Sequence, residues 1–503
     1  MDSNYLQRIL LARVYDVAHD TPLDYAANLS RRLKHDVWLK REDQQPIFSF
    51  KIRGAYNKMS RISPSVLKRG VVAASAGNHA QGVALAGKTL GCPVTIYMPT
   101  TSPEIKVKSV KSFGAKVKLV GDSYAEAFAA ADAFRKRKGI RLISPYDDAD
   151  IIAGNGTIGL EIMRSAKGKL DAIFVPVGGG GLIAGIATYV KSVSRNVKVI
   201  GVEPKDSDAM TRSLNAGKRI TLKEVGIFAD GVAVKLVGKE CFRLAQKYVD
   251  DIVQVDTDET CAAIKDIFED TRTIVEPSGA LAVAGLKKYC GRLNRNGKGF
   301  VAINTGANMN FDRLRHVSER AEIGERREAI IAVTIPERPG SFAQFCATIG
   351  NRGITEFNYR FADEAQAHVY CGVQISSREE GTRLIALLKR NDYPVLDLTD
   401  NEMAKIHVRH MVGGRAPNAT NELVYRFEFP ERPGALLEFL EKIGHSWNIS
   451  MFHYRNHGTD FGRVLCGIQV PPEEMPQFQQ FLKELGFTYV NETDNPVYKM
   501  FLT

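Results

Sequence analysis

One lysine, Lys51, stands where its side-chain amine could act as a nucleophile or a base. It follows a strand-like segment, residues 37–40, and precedes apolar residues that recur at helical spacing from Ile52 to Ile62. The sequence therefore predicts Lys51 at the start of a helix, where the positive end of the macrodipole favours the neutral amine. A neutral lysine amine forms a Schiff base with an aldehyde. A single lysine is more often a solvated surface residue, so this interpretation depends on other motifs.

A second motif could bind a phosphate group. An apolar segment of strand length, residues 170–177, ends in four glycines, and a helix-like segment begins directly after them. Backbone N–H groups between a strand and a helix form an anion site, and glycines let a phosphate approach closely. One or two glycines would be enough for a tight turn alone, and no Walker lysine follows, which argues against a nucleoside triphosphate. The residues of this loop are Gly178, Gly179, Gly180, Gly181 and Leu182.

A reactive lysine and a phosphate-binding loop together suggest an enzyme that uses pyridoxal phosphate. Three motifs, at residues 49–51, 75–79 and 178–182, resemble those of the serine/threonine dehydratases, which are fold-type II pyridoxal phosphate enzymes. With the C-terminal repeat described below, the resemblance covers nearly the whole chain and extends to the biosynthetic threonine deaminases (threonine ammonia-lyases). It implies pyridoxal 5'-phosphate as the cofactor, with Lys51 both holding it and acting as the general base.

The resemblance also assigns roles to other residues. Asn78 is expected to lie against the ring oxygen of the cofactor, and Thr305 is expected to place its hydroxyl next to the pyridine nitrogen, where the family often has serine. The cofactor-binding residues implied in this way are Lys51, Asn78, Gly178, Gly179, Gly180, Gly181, Leu182 and Thr305. The loop expected to bind the substrate carboxylate consists of Ser75, Ala76, Gly77 and His79. No lysine or arginine adjoins the glycines, so the bound phosphate could carry the proton that the leaving hydroxyl needs.

Two of these positions bear on the type of reaction. A hydroxyl at Thr305, in place of a carboxylate, would leave the ring nitrogen largely unprotonated, which favours β-elimination over transamination. Ala76 occupies a loop position where the related serine racemases have a serine that works on the opposite face of the substrate. We therefore expect elimination with little racemisation.

The composition is that of a globular protein with two or three domains: 503 residues, of which 44% are hydrophobic and 25% charged. A net charge of +11 without a basic block does not indicate a nucleic-acid partner. Seven scattered cysteines without a C-x-x-C pair favour reduced thiols and do not indicate a metal site.

No signal or transit peptide is found. The apolar segment at residues 170–190 is long enough to span a membrane, but its proline and four glycines favour a buried strand and helix. We therefore expect a cytoplasmic protein without a membrane segment.

Strand-like and helix-like segments alternate from residue 70 to residue 304. Repeated β-α units predict α/β architecture with mainly parallel, twisted sheets flanked by helices, as in the fold-type II family. Ligands bind such sheets at the carboxyl ends of the strands, where the loops of Lys51, Asn78, Gly178 and Thr305 all fall. In this interpretation residues 1–310 form the catalytic domain, and a charged helix in residues 311–327 is a linker.

The last third of the chain contains an internal repeat. Residues 335–342 match residues 429–436, and residues 371–375 match residues 466–470, which lie 95 positions later. Each copy predicts a strand, a Pro-Gly turn, a helix and two strands, as in a ferredoxin-like α+β unit. Two copies are too few for a solenoid, so we expect a side-by-side pair. The two copies are assigned to residues 328–400 and residues 422–495.

The repeats resemble the ACT-like, amino-acid-binding regulatory domains of the threonine deaminases. The resemblance implies a sensor for the end product isoleucine, with valine as its antagonist, and a homotetramer. Tyr359 and Tyr454 occupy matching positions, and a tyrosine offers both a ring and a hydroxyl to an aliphatic amino acid, so both are predicted to contact the effector. The alternative is a module that serves oligomerisation or stability only.

The expected reaction is the deamination of L-threonine to 2-oxobutanoate and ammonia, with L-serine as a further substrate, as the first committed step of isoleucine biosynthesis. A serine/threonine dehydratase without end-product control is one alternative, although such enzymes usually lack the paired tail. Sulfhydrylases and cystathionine synthases share the fold but add a nucleophile at the β-carbon. A non-catalytic amino-acid sensor is a further alternative, against which the presence of Lys51 argues. Threonine and serine differ by one methyl group, worth about 1–3 kcal/mol in a pocket, which the motifs do not resolve.

Overall fold

The structure is a computed structural model that describes residues 3–324, 327–401, 403–404, 408–410, 413–430, 434–443, 446–455 and 461–502. Residues 431–433 of the repeated motif and residues 325–326 of the predicted linker lie outside the described residues. The chain divides into two compact units, Met1–Gly324 and Glu325–Thr503.

The strands of the first unit form two sheets. In chain order the strands are β1 (Leu23–Tyr25), β2 (Asp36–Arg41), β3 (Val71–Ala74), β4 (Val94–Met98), β5 (Lys116–Leu119), β6 (Arg141–Leu142), β7 (Ala172–Pro176), β8 (Lys198–Pro204), β9 (Asp251–Val255) and β10 (Gly299–Asn304). The sheet orders are β1-β2-β10-β7-β8-β9 and β5-β4-β3-β6. Every neighbouring pair is parallel except β1 with β2. The predicted mainly parallel architecture is confirmed.

Helices alternate with these strands. They are α1 (Ser3–Leu10), α2 (Ala27–Leu33), α3 (Lys51–Ser60), α4 (Pro64–Leu67), α5 (Asn78–Thr89), α6 (Glu104–Ser112), α7 (Tyr124–Lys138), α8 (Ala149–Ser165), α9 (Gly181–Val193), α10 (Ala209–Ala216), α11 (Lys239–Tyr248), α12 (Thr257–Thr271), α13 (Pro277–Cys290) and α14 (Arg313–Gly324). The charged helix predicted near residue 311 is α14. It packs into the core of the first unit through Val317 and Ala321.

Strand β10 shows why the larger sheet is covered on both faces. Successive side chains of a strand point to opposite faces. Phe300 and Ala302 join one core cluster with residues of α12 and α13, whereas Val301 and Ile303 join a second cluster with residues of α8 and α9. All six residues of β10 are buried. A central parallel strand such as β10 is buried on both faces, and this is why its sequence is almost continuously apolar.

The candidate loops all leave the carboxyl ends of strands. Residues 75–77 connect β3 to α5, residues 177–180 connect β7 to α9, and residues 305–308 follow β10. The segment before Lys51 follows β2 through a single 3-10 turn, Glu42–Gln44. These loops thus lie at the carboxyl edges of the two sheets, which is where ligands bind such sheets.

The second unit consists of two β-α-β-β-α-β repeats. The strands are β11 (Glu328–Pro336), β12 (Ile354–Arg360), β13 (Gln366–Gln374), β14 (Val395–Asp397), β15 (Glu422–Pro430), β16 (Asn448–Arg455), β17 (Phe461–Gln469) and β18 (Thr488–Asn491). The helices are α15 (Ser341–Ile349), α16 (Arg378–Arg390), α17 (Ala435–Ile443), α18 (Met475–Glu484) and, after the second repeat, α19 (Pro496–Phe501).

The two repeats share one sheet of order β14-β11-β13-β12-β16-β17-β15-β18. Strands β12 and β16 pair antiparallel and join the repeats, so the expected side-by-side arrangement is confirmed. The second helix and fourth strand of each repeat complete the ferredoxin-like unit and were not part of the sequence interpretation.

Candidate functional site

Lys51 is the first residue of α3, as predicted. The Phe50 N–H donates to the Thr305 carbonyl oxygen at 3.2 Å, which ties the lysine loop to the end of β10. The Lys51 Nζ atom lies 3.4 Å from the carbonyl oxygen of Pro145. Burial lowers the pKa of Lys51 to about 8, and the nearby Glu276 opposes this decrease. Loss of solvation is therefore the largest cause of the lowered pKa.

The tetraglycine loop requires glycine because its surroundings leave no room for side chains. Gly180 has a φ of 93°, a left-handed conformation that favours glycine. A Cβ on Gly179 would collide with the Tyr146 ring, and one on Gly181 would lie 2.8 Å from the Tyr146 carbonyl oxygen. Because Pro145 contacts Lys51, the Pro145–Tyr146 segment connects the lysine to the glycine loop.

The same loop presents free hydrogen-bond donors. The backbone N–H groups of residues 178–182 donate to no acceptor in the described parts of the chain. Helix α9 begins at Gly181, so its first amides and the positive end of its dipole are directed toward the loop. A phosphate dianion supplies the acceptors that these groups lack. The loop therefore fits the phosphate of pyridoxal phosphate.

Asn78 follows β3 of the smaller sheet and Thr305 follows β10 of the larger sheet, and the carboxyl ends of these two strands meet at the site. The Asn78 Nδ2 atom donates to Glu276 at 2.6 Å, and Asn78 Oδ1 accepts from Asn308 at 2.7 Å. The Thr305 hydroxyl donates to the Ser278 carbonyl oxygen at 3.1 Å. Glu276 is buried, and its pKa is raised by burial and by Asp230. The sequence interpretation gave no role to Glu276 or Asn308.

The loop before α5 borders open space. A Cβ on Gly77 would have no neighbouring atom within 4 Å. The His79 ring is buried, and its Nε2 lies 3.0 Å from the Ile143 carbonyl oxygen. Burial and the nearby Lys51 lower the pKa of His79 to about 4, so the neutral ring donates to Ile143. The donors that remain for a carboxylate are the backbone N–H groups at the start of α5, and this role stays a prediction.

A buried ion network supports α3 and was missed from the sequence. The Arg53 guanidinium donates to Glu42 at 2.8 Å and to Glu161 at 2.5 Å, and all three side chains are fully buried. Lys40 Nζ lies 2.6 Å from Glu161. The two positive and two negative charges balance, and they join α3 to β2, to the turn after it and to α8. In the sequence, the only indication of this network was that its charged residues lie within otherwise apolar segments.

The second unit contains a separate candidate site. Tyr359 and Tyr454 lie on the paired strands β12 and β16 and are each 1% exposed. The Tyr359 hydroxyl donates to the Glu337 carboxylate, which also accepts from Asn448 of the second repeat at 2.8 Å. Burial raises the pKa of Glu337. A small cavity beside this cluster is lined by both repeats, through Arg338, Pro339, Gly340, Phe342, Ala343, Leu440, Trp447, Asn448 and Ile449.

The seven cysteines of the described residues are all buried, and none of them forms a disulfide bond. Among these residues we find no helix with the length and apolar character needed to span a lipid bilayer.

Comparison with protein families agrees with this geometry. Residues 14–306 match the family described as pyridoxal-phosphate dependent enzyme. Residues 319–408 and 413–502 each match the C-terminal regulatory domain of threonine dehydratase. The two regulatory matches correspond to the two repeats of the second unit.

Individual relatives extend over the whole chain. A biosynthetic L-threonine dehydratase of Burkholderia multivorans is 54% identical over 99% of both chains. The biosynthetic enzyme of Escherichia coli is 50% identical over 99% of this chain and 97% of its own. A processed form of threonine deaminase isoform 2 from Solanum lycopersicum is 49% identical, with a TM-score of 0.63 over 64% of this chain and 88% of its own. The chain thus belongs to the biosynthetic threonine dehydratases, pyridoxal-phosphate-dependent lyases with a C-terminal regulatory region.

Proposed function

We propose that this protein deaminates L-threonine to 2-oxobutanoate and ammonia, that it also accepts L-serine, and that it thereby begins isoleucine biosynthesis. The observation that carries the proposal is the buried Lys51 amine, with a pKa lowered to about 8, at the same sheet edge as a loop of free N–H donors. The relatives named above are biosynthetic L-threonine dehydratases, and they match over nearly the whole length of this chain.

The cofactor would be held by residues at this edge. Residues 178–182 would bind its phosphate, Asn78 its ring oxygen, Thr305 its ring nitrogen and Lys51 its aldehyde carbon. When bound, pyridoxal phosphate withdraws electrons from the substrate and makes the α-hydrogen acidic. The Thr305 hydroxyl has one hydrogen, and in this structure it is donated to the Ser278 carbonyl oxygen. The hydroxyl must therefore rotate before it can donate a hydrogen bond to the ring nitrogen.

Lys51 Nζ would remove the α-proton, for which the amine must be neutral. Its lowered pKa raises the neutral fraction near neutral pH. The first amides of α5, including those of Asn78 and His79, would hold the substrate carboxylate. Loss of the α-proton and of the β-hydroxyl together removes one water. A water molecule then hydrolyses the eliminated product, so that threonine yields 2-oxobutanoate and ammonia with no net change in water.

The second unit would sense isoleucine as an inhibitor, with valine relieving the inhibition. The cavity formed by both repeats, with Tyr359, Glu337 and Asn448 beside it, supports this assignment. Tyr454 occupies the matching position of the second repeat and is the other proposed contact. A ligand that touches both repeats would change how they pack, which is a route to regulation.

We also propose a homotetramer in the cytoplasm. The proposal is based on the resemblance to the family, and the seven cysteines without disulfides suit a reducing compartment.

The decisive experiment is steady-state production of 2-oxobutanoate from L-threonine, with and without isoleucine. We expect sigmoidal rates that isoleucine suppresses and valine restores. Activity that does not respond to isoleucine would indicate that the second unit serves only oligomerisation or stability. Absence of keto acid despite bound cofactor would favour the β-replacement enzymes, which assays with sulfide or homocysteine would detect.

A further inference from the structure

The orientation of the Asn78 amide is determined by a chain of hydrogen bonds that starts at a backbone carbonyl. The Ile47 carbonyl oxygen lies 2.9 Å from Asn308 Nδ2 and can only accept. The Asn308 atom that faces it must therefore be the nitrogen. The same Nδ2 lies 2.7 Å from Asn78, and it can only donate there as well. The Asn78 atom that faces Asn308 must then be the oxygen, Oδ1.

Glu276 occupies the other side of the Asn78 amide. Asn78 Nδ2 donates to Glu276 Oε1 at 2.6 Å, and the same oxygen accepts from the Ser278 hydroxyl at 2.8 Å. Glu276 is 5% exposed, and a Cβ on Gly306 would lie only 2.8 Å from Oε1. The carboxyl group is thus packed in place. One hydrogen of Asn78 Nδ2 remains without an acceptor in the part of the chain that the structure describes.

We propose that Asn308 and Glu276 are positioning residues that hold the Asn78 amide with its nitrogen, and not its oxygen, toward the ring oxygen of pyridoxal phosphate. This inference rests on the proposed contact between Asn78 and that ring oxygen. The remaining Nδ2 hydrogen is donated to the ring oxygen and stabilises its deprotonated form. In the flipped amide, Oδ1 would face the ring oxygen and repel it. Asn308 therefore controls the charge state of the cofactor without touching it.

Asn308→Asp is the most informative variant. An aspartate carboxylate has nearly the same shape as the asparagine amide but cannot donate to Asn78, so it would favour the flipped amide. Asn308→Ala removes the donor without forcing the flip. In Glu276→Gln, a glutamine oxygen can still accept from Asn78. Asn196→Asp, in an exposed turn between α9 and β8, makes the same charge change away from the site.

The measurements are the dissociation constant of pyridoxal phosphate for the apoenzyme and the pH titration of the visible absorbance of the bound cofactor. We expect Asn308→Asp to weaken cofactor binding by about tenfold, since a partly buried hydrogen bond is left with two acceptors facing each other. Its absorbance transition should move to higher pH. Asn308→Ala should show a smaller effect in the same direction, and Glu276→Gln a smaller effect still.

A purely structural role for Asn308 predicts the reverse order, because alanine removes more packed atoms than aspartate does. Binding and titration in Asn308→Asp that equal those of Asn196→Asp would overturn the proposal. If Asn308→Asp does not fold, an unshifted titration in Asn308→Ala would overturn it instead. Neither readout requires threonine turnover, so a failure of the proposed activity would be recognised separately, in wild-type protein that binds cofactor but produces no keto acid.

Discussion

The Asn448 side-chain amide of the second repeat donates a hydrogen bond of 2.8 Å to the Glu337 carboxylate of the first repeat. The Tyr359 hydroxyl donates to the other oxygen of the same carboxylate. Glu337 thus connects the repeats at the side of the cavity that they line together. A ligand in this cavity would either compete for the hydrogen bonds of the half-buried Glu337 carboxyl group or add a further one.

Replacing Tyr359 by phenylalanine keeps the ring and removes the hydroxyl that binds Glu337. We expect the isoleucine concentration for half-inhibition to rise by up to about tenfold, because the effector would lose a hydroxyl contact, and a hydrogen bond contributes about 0.5–1.5 kcal/mol. Rates of 2-oxobutanoate formation at increasing isoleucine measure this change. Tyr489→Phe, on strand β18 at the edge of the sheet, is the control. An unchanged inhibition curve in Tyr359→Phe would contradict the proposed effector contact.

Ala76→Ser should add racemisation to the elimination reaction. A serine hydroxyl in this loop would be able to exchange a proton on the substrate face opposite Lys51. We expect D-serine to form from L-serine at a rate comparable to that of deamination, whereas the wild-type enzyme forms very little. Chiral chromatography of the reaction mixture measures both products. Ala129→Ser, at an exposed position of α7, is the control. A wild-type enzyme that already racemises L-serine quickly would remove the basis of this prediction.

The lowered pKa of Lys51 predicts how cofactor attachment depends on pH. Only the neutral amine attacks the aldehyde, and its fraction falls about tenfold for each pH unit below the pKa. The rate at which the apoenzyme binds pyridoxal phosphate covalently should therefore rise with pH and level off near a pH of about 8. Stopped-flow absorbance follows the reaction, and Lys51→Ala gives the background. A rate that keeps rising to the ordinary lysine pKa of 10.5 would contradict the effect of burial.

Arg53→Met should destabilise the first unit strongly. It leaves Glu42 and Glu161 buried with only Lys40 to balance them, and breaking such a network costs about 3–5 kcal/mol. Urea unfolding in a Trp447→Phe background isolates this unit, because Trp38 is then the only tryptophan in the chain. Arg13→Met breaks an exposed pair with Asp16 and should cost at most about 1 kcal/mol. Equal midpoints for the two variants would exclude a stabilising role for the network.

Thr305→Asp tests the proposed contact with the ring nitrogen. A carboxylate at this position would favour the protonated nitrogen and stabilise negative charge on the substrate carbon for longer. We expect slower 2-oxobutanoate formation and measurable transamination, detected as pyridoxamine phosphate by chromatography. Thr305→Asn has a similar shape without the charge and should give no transamination. Transamination in neither variant would argue against Thr305 as the partner of the ring nitrogen.

The sequence by itself determined the motifs and most of the elements that carry them, although it did not give the second helix and fourth strand of each repeat. Helix α3 begins at Lys51 and helix α9 begins at Gly181 because apolar periodicity and glycine runs are local properties of the chain. The two repeats were visible because each copy keeps its own strand and turn residues. The resemblance of these motifs to one family was enough to predict the cofactor and the fold, and the comparisons confirm both.

The tertiary structure alone decided which side chains support the site. Asn78 meets Glu276 and Asn308 across 198 and 230 residues of sequence, and no local pattern encodes such a pair. Burial, which lowers the pKa of Lys51, and the balance of charges around Arg53 also depend on how helices and sheets pack. Local periodicity specifies helices and strands, whereas contacts between distant residues exist only once the two sheets have packed with the carboxyl ends of their strands together.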